Sequence, residues 1–144
     1  MIVKVKKLVE EACIPKYAKP DDAGLDLTAT SYNYDESYKN HVYGTGLAIE
    51  IPKGYVGLIF PRSSNRKTSV YLTNHVGVID SGYRGEIMVT YKDRDNLMLE
   101  EPPYQIGDRI AQLIIMPYPY IELVQSDELS ETERGEGGHG STGK

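Results

Sequence analysis

The sequence lacks several features that mark whole classes of protein. Its single cysteine, Cys13, cannot form a disulfide within the chain, which excludes a secreted scaffold held together by disulfides; a buried or semi-exposed free thiol is expected. The longest apolar run, 113–116, is far shorter than a membrane span of roughly 20 residues. The first residues mix charges with apolar side chains, so no signal peptide is predicted.

An excess of basic residues is also missing. The net charge is −5, which argues against broad binding to the backbone of nucleic acids. An anionic ligand would therefore have to be held by a few well-placed cations. Together these absences predict an intracellular, cytoplasmic protein that binds neither a membrane nor nucleic acid.

The chain is long enough for one domain with a real core. Fourteen glycines and eight prolines divide it into short apolar segments, a pattern typical of an all-β sandwich or barrel. Residues 86–91 alternate apolar and polar side chains, and residues 56–60 and 111–116 are predicted to be strands buried on both faces. Residues 3–12 fit a helical stripe as well as a strand, and the surrounding pattern favours a strand.

Two segments are less regular. Residues 31–43 contain four tyrosines, which indicates either a subunit interface or an exposed hairpin. Residues 126–144 contain Leu129 as their one aliphatic residue, so a flexible arm is predicted after a β domain spanning 1–125. The same arm combines Arg134 with several glycines and two hydroxyl residues, a combination that can wrap phosphate oxygens.

Three short stretches contain candidate site residues. Asp26 lies between leucines in AGLDL (23–27), where a carboxylate must be paired. Residues 61–67, PRSSNRK, present an arginine and two serines as a strand ends, a donor cluster suited to phosphate. Residues 106–115 place Arg109 and Gln112 beside another strand. Taken singly, each stretch is better explained by an ordinary role: a turn acid, a strand-end arginine in a surface salt bridge, and a solvated glutamine.

Taken in order, AGLDL, PRSS, NHVGVIDSGYRG, GDRIAQ and RGEGGHGSTG resemble the five motifs of the trimeric deoxyuridine triphosphatases. The resemblance implies a jelly-roll-like β subunit and a homotrimer whose active sites are shared between subunits. It also implies Mg²⁺-dependent hydrolysis of dUTP to dUMP and pyrophosphate by attack of water at the α-phosphorus. That reaction limits incorporation of uracil into DNA and supplies dUMP for thymidylate synthesis.

The third motif would recognise the nucleoside. The resemblance implies that residues 77–88 form a hairpin pocket for uracil, that Asp80 orients the attacking water and accepts its proton, and that Tyr83 excludes a 2′-hydroxyl. A pocket whose hydrogen-bonding groups match uracil should reject cytosine. The 4-amino donor of cytosine would face another donor in the pocket, and both buried groups would stay unpaired. The groups implied to read the uracil edge belong to Asn74, Gly77, Val78, Ile79 and Met88.

The second, fourth and first motifs would handle the phosphates. By resemblance, Arg62, Ser63 and Ser64 contact phosphate oxygens and Gln112 lies near the attacking water. Mg²⁺ would be held mainly by the substrate phosphates, with no direct protein ligand and with Asp26 acting through water. Arg109 is expected to be a structural or intersubunit cation.

The fifth motif would be a lid that closes over a neighbouring subunit's site. The resemblance assigns Arg134 to the γ-phosphate. Four further residues of the lid are implied to surround the substrate, namely Gly138, Gly140, Ser141 and Thr142. His139 departs from the family pattern, because an aromatic phenylalanine usually stacks on uracil there. The stretch 91–105 is a few residues longer than usual and predicts an enlarged loop.

Two alternatives remain open. One is an enzyme similar to deoxycytidine triphosphate deaminase, which shares the fold and a PRSS-like motif. The other is a nucleotide-binding regulatory protein that does not hydrolyse its ligand; retention of both Asp80 and Arg134 argues against it.

Overall fold

The computed structural model describes residues 1–94 and 101–138. Within these ranges the regular structure is β, apart from a short 3₁₀ turn, Ser63–Lys67. The strands are β1 (Lys4–Lys7), β2 (Leu25–Thr28), β3 (Ser31–Asp35), β4 (Asn40–Gly44), β5 (Leu47–Glu50), β6 (Tyr55–Pro61), β7 (Val70–Leu72), β8 (Gly77–Ile79), β9 (Met88–Asp93) and β10 (Arg109–Pro117). No helix in the described part of the chain is long and apolar enough to cross a membrane.

The strands form a sandwich of two four-stranded antiparallel sheets. The first, called here the β10 sheet, has the order β2-β10-β6-β8, and the second, the β9 sheet, has the order β3-β4-β9-β7. Strands β1 and β5 form a separate antiparallel pair. The strand predicted for residues 3–12 is confirmed only over Lys4–Lys7, because the chain bends and turns from residue 8. The predicted all-β, sandwich-like fold is confirmed.

Tyrosines provide much of the core between the two sheets. In β9 the predicted alternation holds, because Val89 and Tyr91 are buried at 1% and 0% exposure. The rings of Tyr43, Tyr91 and Tyr104 pack together, with centroids 5.2 to 6.4 Å apart. Two of the three hydroxyls donate inside the core, from Tyr43 to the Tyr104 carbonyl at 3.1 Å and from Tyr91 to the Ile110 carbonyl at 2.6 Å. These two polar tips are satisfied where water is excluded, whereas the buried Tyr104 hydroxyl has no hydrogen-bond partner among the described residues.

The prediction that residues 56–60 and 111–116 are buried on both faces is wrong for a single chain. Ile59 and Leu113 point inward and are almost fully buried. Leu58 and Ile114, on the other face, are only partly buried. Successive side chains of a strand point to opposite faces, and the described residues of one chain cover this outer face only in part. The outer face is therefore a partly exposed apolar surface.

The third-motif segment is not a paired hairpin. Strand β8 pairs with β6 in the β10 sheet, whereas β9 pairs with β4 and β7 in the β9 sheet. The residues between them, 80–87, therefore cross from one layer of the sandwich to the other. The crossing opens a concave space between the layers that a flat hairpin would not have.

The tyrosine-rich segment 31–43 is a hairpin of β3 and β4. It is exposed at its tip, where Tyr38 is 71% exposed, and buried at its base, where Tyr43 is at 0%. Cys13, expected as a buried or semi-exposed thiol, is free and exposed. Beyond β10, residues 118–137 are exposed throughout, and they include large apolar side chains such as Leu123 at 89%.

Candidate active site

A pocket of about 240 Å³ lies where the chain crosses between the two sheets. Predicted residues meet there, since Val78, Asp80, Tyr83 and Met88 all line it. Val78 and Met88 are 62% and 50% exposed, so the pocket has an open apolar rim. We call this region the base half-site.

Asn74 and Gly77 lie together at the start of the base half-site. A Cβ atom on Gly77 would lie 3.5 Å from the Asn74 amide nitrogen and 3.1 Å from the Ile59 Cβ. A side chain larger than hydrogen would therefore crowd β6, and the bare backbone leaves the Asn74 amide beside the strand. The two predicted readers of a base edge are adjacent.

Local contacts hold Tyr83 in position. Its N–H donates to the Asp80 carbonyl at 3.0 Å, and its hydroxyl donates to the Glu86 carbonyl at 3.0 Å. A Cβ on Gly85 would clash with the Tyr83 ring, so glycine is required for the ring to lie across the chain. Tyr83 is thus a fixed wall of the pocket rather than a free surface side chain.

Sequence reasoning missed Glu86. Its carboxylate accepts the Gly46 N–H at 2.7 Å, and the neighbouring Ile87 carbonyl accepts the Thr45 hydroxyl at 2.7 Å. These contacts attach residues 86 and 87, which lead into β9, to the turn between β4 and β5. The local sequence carries no signal for this contact, because its partner Gly46 lies 40 residues earlier in the chain.

A cluster of one carboxylate and two guanidinium groups occupies the outer face of the β10 sheet. Asp26 accepts from Arg62 Nε at 2.7 Å and from an Arg109 terminal nitrogen at 3.1 Å. A register shift between β2 and β10 next to Arg109 bends the strand and re-aims this side chain. With two cations on one anion, the cluster keeps a net positive charge that favours an anionic ligand. We call it the phosphate half-site.

Gln112 and the serines complete the phosphate half-site. Gln112 lies directly opposite Asp26 on the neighbouring strand, and its amide donates to the Pro61 carbonyl at 3.0 Å. The Ser64 hydroxyl accepts from Arg62 at 3.3 Å, and Ser63 is exposed at the start of the 3₁₀ turn. The four predicted phosphate contacts are therefore neighbours.

Gly24 has a role that the sequence did not reveal. A Cβ at this position would lie 2.5 Å from the Gln112 side-chain oxygen. The AGLDL motif thus leaves the space in which the Gln112 amide lies. The motif itself was the available signal, but only the fold identifies the neighbour.

The two half-sites are far apart within one chain. Ile79 lies opposite Gly57, so Asp80 is level with Val56, whereas Arg62 follows the other end of β6. Six residues of extended chain separate Val56 from Arg62, about 20 Å at 3.3 Å per residue. No side chain bridges that distance, so one chain cannot bring Asp80 and Arg62 to the same phosphorus atom.

The arm is described as far as Gly138. Arg134 lies in a turn and donates from Nε to the Gly137 carbonyl at 3.0 Å. The predictions for His139, Gly140, Ser141 and Thr142 lie outside the described residues. Over residues 1–94 and 101–138, no three His, Cys, Asp or Glu side chains are grouped as a metal site.

A family model for dUTPase matches residues 10–143 of the chain. The chain belongs to the dUTPase family. Two relatives named deoxyuridine 5′-triphosphate nucleotidohydrolase are similar to it over nearly their whole length. The protein from Nautilia profundicola is 43% identical, covering 100% of both chains. The protein from Corynebacterium glutamicum is 41% identical, covering 99% of this chain and 95% of the relative.

Solved dUTPase structures share the fold. The dUTPase of Staphylococcus bacteriophage 80alpha with dUPNHPP is 32% identical and superimposes with a TM-score of 0.83, covering 99% of each chain. A variant dUTPase from phage phi11 of S. aureus, described with a structural Mg(II) ion, is 27% identical with a TM-score of 0.73. It covers 89% of this chain and 98% of its own.

Proposed function

We propose that the protein is a dUTP diphosphatase that hydrolyses dUTP to dUMP and pyrophosphate by attack of water at the α-phosphorus. One observation carries the proposal: the base half-site and the phosphate half-site contain the residues of four family motifs in the arrangement this chemistry needs. A carboxylate lies at the rim of a pocket for a flat base, and a separate cationic cluster is ready for phosphate. Membership of the dUTPase family supports the same reaction.

The distance between the half-sites implies that a complete site needs more than one chain. We infer that the protein is a homotrimer in which Asp80 of one subunit faces Arg62 and Gln112 of another. The partly exposed outer face of the β10 sheet and the exposed apolar residues after β10 provide surface for such contacts. The prediction that this face is buried would then hold in the assembly.

In the base half-site, backbone groups of residues 77–79 and Met88, with the Asn74 amide, would read the uracil edge. Tyr83 would lie against the deoxyribose, where its ring, held by local contacts, would exclude a 2′-hydroxyl. Asp80 is exposed at the rim, where it can orient a water molecule and accept its proton.

In the phosphate half-site, Arg62, Ser63, Ser64 and Gln112 would bind the phosphate oxygens. Both oxygens of the Asp26 carboxylate already accept from guanidinium groups, so Mg²⁺ would be held mainly by the substrate phosphates and water, with Asp26 acting on it through water. When bound, Mg²⁺ neutralises charge on the phosphates and on the leaving pyrophosphate. The arginines supply the remaining positive charge at the same oxygens.

We further propose that residues 1–125 form the β domain and that the arm 126–144 closes over a neighbouring subunit's site. Arg134, in its turn among glycines, would meet the γ-phosphate. Closure would exclude water other than the one that reacts. The expected cytoplasmic location stays a prediction.

The test is pyrophosphate release from dUTP with Mg²⁺, measured beside dCTP, dTTP and UTP. We expect release from dUTP alone, and a loss of at least about a hundredfold in kcat for Asp80→Asn with dUTP binding retained. Release of ammonia from dCTP would support the deaminase alternative instead. Tight binding of dUTP without any product would support the regulatory alternative.

A further inference from the structure

A second cleft, of about 300 Å³, opens beside the phosphate half-site. It lies between the end of β6, the 3₁₀ turn and the turn that follows β7. Arg62 and Ser63 form the border that it shares with the phosphate half-site, and the rest of its wall includes Arg66, His75 and Arg94. We call it the cationic cleft. The proposed reaction gives these last three residues no role.

The charge of the cationic cleft has one sign. Three guanidinium groups and one imidazole line it, and no carboxylate is among its described lining residues, although the whole chain has a net charge of −5. Arg62 is already paired with Asp26. In the part of the chain that the structure describes, Arg66 and Arg94 form no ion pair. Two cations are therefore available to an anion that enters.

Arg94 is held at one wall of the cleft. Its backbone N–H donates to the Ser69 carbonyl at 2.9 Å, and its Nε–H donates to the Val70 carbonyl at 3.4 Å. These bonds fix the stem of the side chain and leave the terminal nitrogens of the guanidinium for another partner. A partly immobilised guanidinium loses less entropy when it binds phosphate.

His75 reaches the cleft from a strained turn. Its φ is +58°, a left-handed conformation that disfavours any side chain, and its N–H donates to the Leu72 carbonyl at 2.9 Å. The imidazole lies 6.0 Å from the Tyr71 ring, at an interplanar angle of 31°. His75 is exposed, so core packing does not require the imidazole. Strain of this kind concentrates at functional positions.

We propose that the cationic cleft is a second anion site that binds inorganic phosphate or pyrophosphate through Arg66, Arg94 and His75. Guanidinium groups suit phosphate because they donate paired N–H bonds to its oxygens. The shared border with the phosphate half-site places the cleft where a released pyrophosphate would pass. The site is distinct from the proposed triphosphate site because its three binding residues lie outside it.

The histidine signals provide a local readout. The chain has three histidines, so the ring C–H cross-peaks of His75 can be assigned by substitution in NMR spectra of the full-length protein. Inorganic phosphate, pyrophosphate and dUMP are titrated separately at constant ionic strength. We expect the His75 signals to shift as phosphate or pyrophosphate is added and to reach saturation, with an affinity in the millimolar range or tighter. The anion that binds with the higher affinity is then identified as the ligand. A response to dUMP alone would overturn the proposal, since it would place the effect in the nucleotide site.

Two single variants and a control test the residues. Arg66→Ala and Arg94→Gln should each weaken the affinity measured at His75 by about tenfold, the loss expected for one charge-assisted contact. Lys53→Ala removes an exposed cation outside the cleft and should leave that affinity unchanged. Unshifted His75 signals in the wild type, or equal affinity in all variants, would overturn the proposal.

A third variant separates binding from folding. His75→Gly removes the imidazole and also relieves the left-handed strain, so we expect its thermal unfolding midpoint to be no lower than that of the wild type. Anion affinity, followed for this variant by calorimetry with pyrophosphate, should fall. An unchanged affinity would show that His75 takes no part in the site.

Discussion

At the scale of single residues, the space left by Gly24 controls where the Gln112 amide lies. We expect Gly24→Ala to displace that amide, since the added Cβ would lie 2.5 Å from its oxygen, and to lower kcat/KM for dUTP by about ten- to a hundredfold. The measurement is steady-state kinetics beside thermal unfolding, to show that the fold is kept.

The double variant Gly24→Ala/Gln112→Ala provides the control. If Gly24 acts through Gln112, adding Gly24→Ala to Gln112→Ala should cause little further loss. Additive losses would show that Gly24 acts by another route.

His139, in the arm beyond the described residues, allows a second prediction at this scale. An imidazole is smaller than a phenyl ring, so stacking on uracil should be weaker. His139→Phe is expected to lower the dissociation constant for a non-hydrolysable dUTP analogue. An unchanged or higher dissociation constant would contradict this idea.

At the scale of elements, the tyrosine cluster couples β4 and β9 to the segment before β10. Burial raises the pKa of Tyr43, Tyr91 and Tyr104 above the ordinary value of about 10. For an acid with a raised folded-state pKa, the contribution to stability is full below the unfolded-state pKa and is lost as the pH rises above it. We therefore expect the free energy of unfolding to fall as the pH rises above about 10.

Tyr91→Phe tests this cluster. The substitution removes the hydroxyl that donates to the Ile110 carbonyl, so stability at neutral pH should fall by about 1 kcal/mol. One ionisable group fewer should also make the alkaline loss of stability shallower. Tyr38→Phe, at the exposed hairpin tip, is the matched control and should change neither quantity. Urea unfolding at several pH values measures both.

At the scale of the whole molecule, the separation of the half-sites along β6 predicts complementation. Asp80→Asn and Arg62→Gln should each be nearly inactive alone, because each removes one half of every site. When the two are co-refolded in equal amounts and mix at random, about one quarter of all sites should combine two intact halves. Pyrophosphate release from dUTP measures the recovery.

Mass measurement of the mixture provides the companion experiment. A trimer with recovered activity would support sites shared between subunits. A monomer, or a trimer with no recovery, would contradict the shared-site proposal. The double variant Asp80→Asn/Arg62→Gln, refolded alone, should stay inactive.

Much of the fold could be predicted because strand alternation is local. The alternation of residues 86–91 predicted a strand with Val89 and Tyr91 on one face, and the structure has that strand with this face buried. The predicted phosphate residues were also brought together, because Arg62, Ser63 and Ser64 are adjacent in sequence. The hairpin predicted for 77–88 failed for a related reason, since its two strands are near in sequence but pair in different sheets.

The sequence by itself determined which chemical groups the protein has and which side of each strand is apolar, because both depend on residue type and short spacing. Only the tertiary structure decided that Gly24 makes room for Gln112, that Glu86 is tied to the β4–β5 turn, and that Asp80 and Arg62 lie at opposite ends of β6. These relations depend on the register between strands distant in sequence. Long-range burial and hydrogen bonding set that register, and local pattern does not encode it.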